Sequence, residues 1–115
     1  MERQIVLKVK GNNYTIEFPN VGKFQRIESM KQVISQGMYS QLISTATLST
    51  VEALNMVDME AYLSILAPQL IKDLKCDSFS ELDIEDYLEL KKVYLDQFVP
   101  WWNSILNLIN PNERE

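Results

Sequence analysis

The chain has 115 residues, enough for one domain's core and too few for two ordinary domains, and its 46% hydrophobic and 23% charged content exclude a disordered tail. Its net charge of −5 is uneven, +2 over residues 1–57 and −7 over residues 58–115, and the Lys91-Lys92 pair sits in acidic surroundings, which weighs against a nucleic-acid partner. With no histidine, a single cysteine (Cys76) and glycines only at 11, 22 and 37, the chain lacks the means for a zinc site, a His-activated nucleophile or a phosphate-cradling loop.

The opening "IVLKVKGNNYTIEF" alternates apolar and polar residues on either side of Gly11-Asn12-Asn13, the signature of a β-hairpin. Strands of roughly Gln4 to Lys10 and Tyr14 to Phe18 are expected, with Ile5, Leu7 and Val9 on one face of the first and Tyr14, Ile16 and Phe18 on one face of the second. A lone hairpin is marginal in water, so that face packs on helices or joins another chain's sheet. Pro19-Asn20 ends the second strand.

From Val21 the period becomes helical, with Phe24, Ile27, Met30 and Val33 or Ile34 in one stripe and Gly37 as the stop. "MYSQLIS" suggests a further short helical turn before the hydroxyl-rich break "STATLST". Ser49-Thr50-Val51-Glu52 has the form of a capping box, which starts the next helix at about Thr50. Apolar residues from Val51 to Leu66 wrap most of its circumference, as on a buried central helix, with Asp58 or Pro68 as candidate breaks. Pro68 either kinks that helix or opens a new one. A final helix is expected from about Leu82 to Asn110, bent at Pro100 and capped approximately by Ser80 and Asp83, with a polar tail over residues 111–115. The fold class is therefore α+β, mostly α: one domain over residues 1–115, made of an N-terminal β-hairpin over 1–19 and a bundle of four to five α-helices over 20–110.

On an ideal last helix, Ile84, Leu88, Leu95, Phe98, Trp102, Ile105, Leu106 and Ile109 share one band, expected to be core, with Lys91 near its centre. Leu90, Tyr94, Trp101 and Leu108 form a second row. That row is the candidate partner-binding stripe, since exposed apolar patches rich in Trp and Tyr mark binding sites, and the alternative is that both rows face neighbouring helices inside a bundle. The acidic run "SELDIEDYLE" reads as a solvated face, because a calcium loop needs a glycine it lacks. Glu85 and Glu89 share a helical face, a spacing too ordinary to suggest catalysis. No catalytic, metal or cofactor residue is expected. Nor is a membrane span or a secretory signal, so the expected setting is the cytoplasm.

The layout resembles that of the tail assembly chaperones of long-tailed bacteriophages in its leading "LKVKGNNYTIEFP" hairpin, its helix ending in "LAPQLIKDL" and its late "YLDQFVPWW". The resemblance implies a non-enzymatic viral protein of the host cytoplasm that binds a long helical tape-measure protein, shields its apolar stripes and leaves before the particle is complete. It also implies a homo-oligomer around that client, and it transfers no site residue. A permanent structural subunit of a virion or other multiprotein particle is the second expectation. The free edge of the hairpin offers a route to self-association.

Overall fold

The computed structural model describes residues 2–45 and 47–109; the expected polar tail and the expected helix end at Asn110 lie outside these residues. It is an α+β, mostly helical fold with the hairpin first. Packing divides the chain into two compact units, Met1–Phe18 with Asp83–Glu115, and Pro19–Leu82.

In the first unit, β1 (Gln4–Val9) pairs antiparallel with β2 (Asn12–Glu17). Val9 faces Asn12, so the turn is Lys10-Gly11, one residue earlier than expected. Both turn residues have positive φ, 51° and 81°, the geometry whose twist matches a two-residue hairpin, and Asn12 and Asn13 are thereby freed to extend the strand. The alternation places Leu7, Val9, Tyr14 and Ile16 in the core. Phe18, only half-buried, instead stacks under the Arg3 guanidinium, 3.9 Å from the ring centre.

The same unit contains α5 (Ile84–Val93), a π-helical turn (Tyr94–Phe98) and α6 (Val99–Ile109), which follow one another without a break. Asp83 is the cap of α5, its carboxylate accepting from the Glu85 backbone N–H at 3.0 Å. β1 packs against α5 and the π turn, and Lys10 reaches Asp86 at 3.0 Å.

The second unit holds α1 (Val21–Ile34), α2 (Tyr39–Ser44), α3 (Leu48–Leu66), α4 (Pro68–Leu74) and a 3₁₀ turn (Phe79–Glu81). Asn20 caps α1 by accepting from the Lys23 N–H at 2.8 Å, and Gly37, at φ 80°, closes its end by donating to the Gln32 carbonyl at 2.9 Å. The cap of α3 is Thr47 with Thr50, rather than Ser49 with Glu52: the Thr47 N–H donates to Thr50 Oγ1 at 2.9 Å while Thr50 N–H donates to Thr47 Oγ1 at 3.3 Å. Two hydroxyls three residues apart satisfy the same orphaned amides that a Ser/Glu pair would, so the helix starts two residues early. Both residues are on the surface, so Thr47→Ala is expected to lower stability by about 1 kcal/mol, read as a shifted urea midpoint with unchanged slope.

α3 runs through Asp58 unbroken. The break falls at Ala67, where the backbone leaves the helix at φ −134° and Pro68 opens α4 as its first residue. Of the two readings of Pro68, a new helix is therefore the one realised, since proline's missing N–H costs nothing in the first turn. Burial on α3 is confined to its later turns, from Val57 to Leu66. There Glu60 accepts from Phe79 N–H at 3.2 Å and from the Ser78 hydroxyl at 3.5 Å, holding the 3₁₀ turn against the helix. Burial pushes the Glu60 carboxyl above its usual range, and the two donors oppose that shift.

Candidate functional site

The sequence's candidate stripe is not a surface. Leu90, Tyr94 and Trp101 are buried, at 1%, 5% and 6% exposure, and only Leu108 of the four stands in solvent, at 61%. The band assigned to the core splits the other way: Phe98, Trp102 and Ile105 are buried, while Ile84, Leu88 and Leu95 are exposed.

One local feature accounts for both corrections. Leu90, Tyr94, Phe98 and Trp102 recur at four-residue intervals, and on a uniform α-helix each step of four drifts about 40° around the axis. The π turn closes wider rings, as in the bond from the Val99 N–H to the Tyr94 carbonyl, and takes up this drift. It sits just before Pro100, whose ring would collide with the Asp96 carbonyl in a regular helix and which has no N–H to offer it. The four residues then stay on one side, and everything after the π turn is rotated relative to an ideal helix. Pro100 thus acts through a widened turn, where the sequence suggested a bend.

The resulting interior is aromatic. Tyr94 and Phe98 stack at 5.4 Å and Phe98 and Trp102 at 5.6 Å, both 16° from parallel. Trp101 meets Phe98 edge-on at 6.0 Å, and its indole N–H donates to the Glu2 carbonyl at 2.8 Å, tying α6 to the start of the hairpin. Both tryptophans are core.

In the second unit the sequence reading missed Lys31, which is buried at 7% exposure in the stripe running from Ile27. Its Nζ lies 2.9 Å from Glu28 Oε2 and 4.0 Å from Asp58 Oδ1, 5.3 Å from the Tyr39 ring centre and 4.8 Å from that of Tyr62. The Tyr39 hydroxyl donates to Asp58 Oδ1 at 2.6 Å. Burial pulls the Lys31 pKa down, but Tyr62, the Glu28 carboxylate and Tyr39 outweigh it, so the ammonium is held above the ordinary lysine value. Burial, followed by the bond to Asp58, pushes the Tyr39 phenol up, and burial does the same for Tyr62. Burial also raises the Asp58 carboxyl, against the pull of Tyr39 and Lys31. The shifts of Lys31, Tyr39 and Tyr62 all lead away from neutrality, opposite to the poise a proton-transfer group needs. The cluster's evident role is to clamp α1, α2 and α3 together. Its sequence signal was a lysine at i+4 from Ile27 within an apolar stripe.

Two stretches of the chain concentrate exposed apolar side chains. Around α2, which buries no residue, Val33, Met38, Ile43, Leu48 and Val51 stand 48% to 81% exposed within residues 33–51. In the other unit, Ile84, Leu88 and Leu95 stand 42% to 69% exposed along α5 and into the π turn. Cys76 is half-buried, its thiol pushed up by burial and by Glu81, Glu60 and Asp77. Among the described residues no helix is long and apolar enough to cross a membrane, and no group of three or more Cys, Asp or Glu side chains is placed to hold a metal ion. No protein-family model, curated protein or solved structure matches this chain.

Proposed function

We propose that the chain is a non-enzymatic assembly factor of the host cytoplasm that binds and shields a long helical client protein, in the manner of the tail assembly chaperones of long-tailed bacteriophages that its layout resembles. The observation that carries this reading is the apolar surface around α2. α2 has no fully buried residue, carries exposed Ile43 and is flanked in sequence by exposed Val33, Met38, Leu48 and Val51, apolar side chains that are available to another polypeptide. Amphipathic helices seat such side chains in apolar grooves, and a tape-measure-like client presents many of them in succession.

The test is co-expression with the long helical protein encoded in the same genome. The client is expected to remain soluble and to co-purify with the chain. Ile43→Asp with Leu48→Asp is expected to cut that capture at least about tenfold, as loss of an apolar anchor does, without changing the melting temperature, because neither residue is buried. Purified mature particles are expected to lack the chain. Its presence there in fixed stoichiometry would replace this reading with that of a permanent structural subunit.

A further inference from the structure

The exposed stripe of the C-terminal helix has a charge pattern that selects its occupant. On the regular turns of α5, with Ile84 taken as the origin, Leu88 and Lys91 fall within a band about 60° wide, and exposed Leu95, one residue into the π turn, continues it, which gives the a and d positions of a short heptad seam. Ile84 and Lys91 are the d residues, Leu88 and Leu95 the a residues. Beside the seam, on one flank, the e positions are Glu85 and Lys92, both exposed and of opposite charge. The opposite flank carries half-buried Tyr87 and buried Tyr94, and no charge.

In a parallel pair of helices each e residue meets the partner's g residue, so Glu85 and Lys92 would find no charge to pair with. In an antiparallel two-fold pair, e residues meet e residues. Ile84 then lies opposite the second copy's Leu95, and Leu88 opposite its Lys91, whose stem covers the leucine while its ammonium reaches the rim. Glu85 lies opposite the second copy's Lys92, and symmetry makes that ion pair twice.

We propose that a second copy of this chain docks on the Ile84–Leu88–Leu95 stripe, with the two α5 helices antiparallel and Glu85 paired reciprocally with Lys92. The only bond Lys92 gives up in the described residues is its i,i+4 pair with Asp96 at 3.2 Å, between two exposed side chains and readily exchanged. The seam spans about 16 Å, so the dimer is weak and dependent on concentration. This pairing stands apart from the client reading, and its test uses the chain alone.

Sedimentation equilibrium across a range of concentrations is expected to show monomer and dimer. Glu85→Lys and Lys92→Glu, singly, are each expected to weaken the dimer about tenfold, because each sets like charges against each other at two symmetric places. Combined in one chain, Glu85→Lys and Lys92→Glu are expected to restore wild-type affinity. Leu88→Asp is expected to abolish dimerisation with an unchanged melting curve, since Leu88 is 54% exposed. A chain that stays monomeric throughout overturns the proposal. So does a dimer indifferent to these substitutions, which would place the interface elsewhere, for example at the hairpin edge. A double reversal no better than the single ones would rule out the antiparallel pairing.

Discussion

Trp101→Ala is expected to destabilise the chain as much as Trp102→Ala, each by about 3 to 5 kcal/mol in urea unfolding followed by far-UV circular dichroism. Both indoles are buried and both touch Phe98, so truncating either leaves a large cavity beside a ring that has lost a partner. Trp101→Phe, which keeps a ring in place but releases the Glu2 carbonyl, is expected to cost about 1 kcal/mol, the net worth of one hydrogen bond. A Trp101→Ala chain as stable as wild type would mean that the π turn does not rotate α6 as described, and would return Trp101 to the surface.

The second large effect lies in the Lys31 clamp. Lys31→Met keeps an aliphatic stem but leaves Asp58 without its cation, and is expected to cost about 2 to 3 kcal/mol. That is below the usual penalty for breaking a buried pair, because Glu28 is largely exposed and turns to water. Asp58→Asn retains an acceptor for the Tyr39 hydroxyl, so the double variant Lys31→Met with Asp58→Asn is expected to regain most of the loss, a coupling read from the four-member cycle.

The clamp also sets the response to alkali. Lys31, Tyr39 and Tyr62 all hold their protons more tightly folded than unfolded. Each therefore contributes stability that is fully present below its unfolded pKa and lost as pH rises through its folded one. The window opens at about pH 10, where tyrosine and lysine of the unfolded chain begin to lose protons. Melting temperature is expected to fall steeply above that pH in the wild type, and less steeply in Tyr39→Phe. Asp58 has the same sign at the acid end: its contribution is present below about pH 4 and lost as pH rises through its raised folded value, so Asp58→Asn is expected to flatten that part of the profile.

The hairpin was legible in the sequence because its alternation has period two and its turn carries a glycine; its turn moved because Lys10 shares the positive-φ work with Gly11, and Phe18 falls past the strand's end under Arg3. The helices were legible from their periodicity, and their ends less so, since Thr47 and Thr50 cap as well as the more familiar Ser/Glu pair. The docking stripe was misread because a uniform 100° per residue does not hold across Tyr94–Phe98. The signal was nonetheless present: four large residues at intervals of four, with a proline between the third and the fourth, do not form a straight seam on a regular helix. Lys31 escaped notice because residue type outweighed position. A lysine is at home inside when its ammonium lies over two aromatic rings and within reach of carboxylates.

The first compact unit joins Met1–Phe18 to Asp83–Glu115, so its two pieces are made at opposite times during translation. The hairpin emerges from the ribosome early, with the Leu7, Val9, Tyr14 and Ile16 face that β1 later turns to α5 and the π turn still uncovered. It must wait for 64 intervening residues, Pro19–Leu82, to be synthesised before its partner exists. A nascent chain that has cleared the ribosome only as far as Leu82 therefore shows a sticky, unpaired hairpin. That intermediate is where ribosome-associated holdases would find this nascent chain.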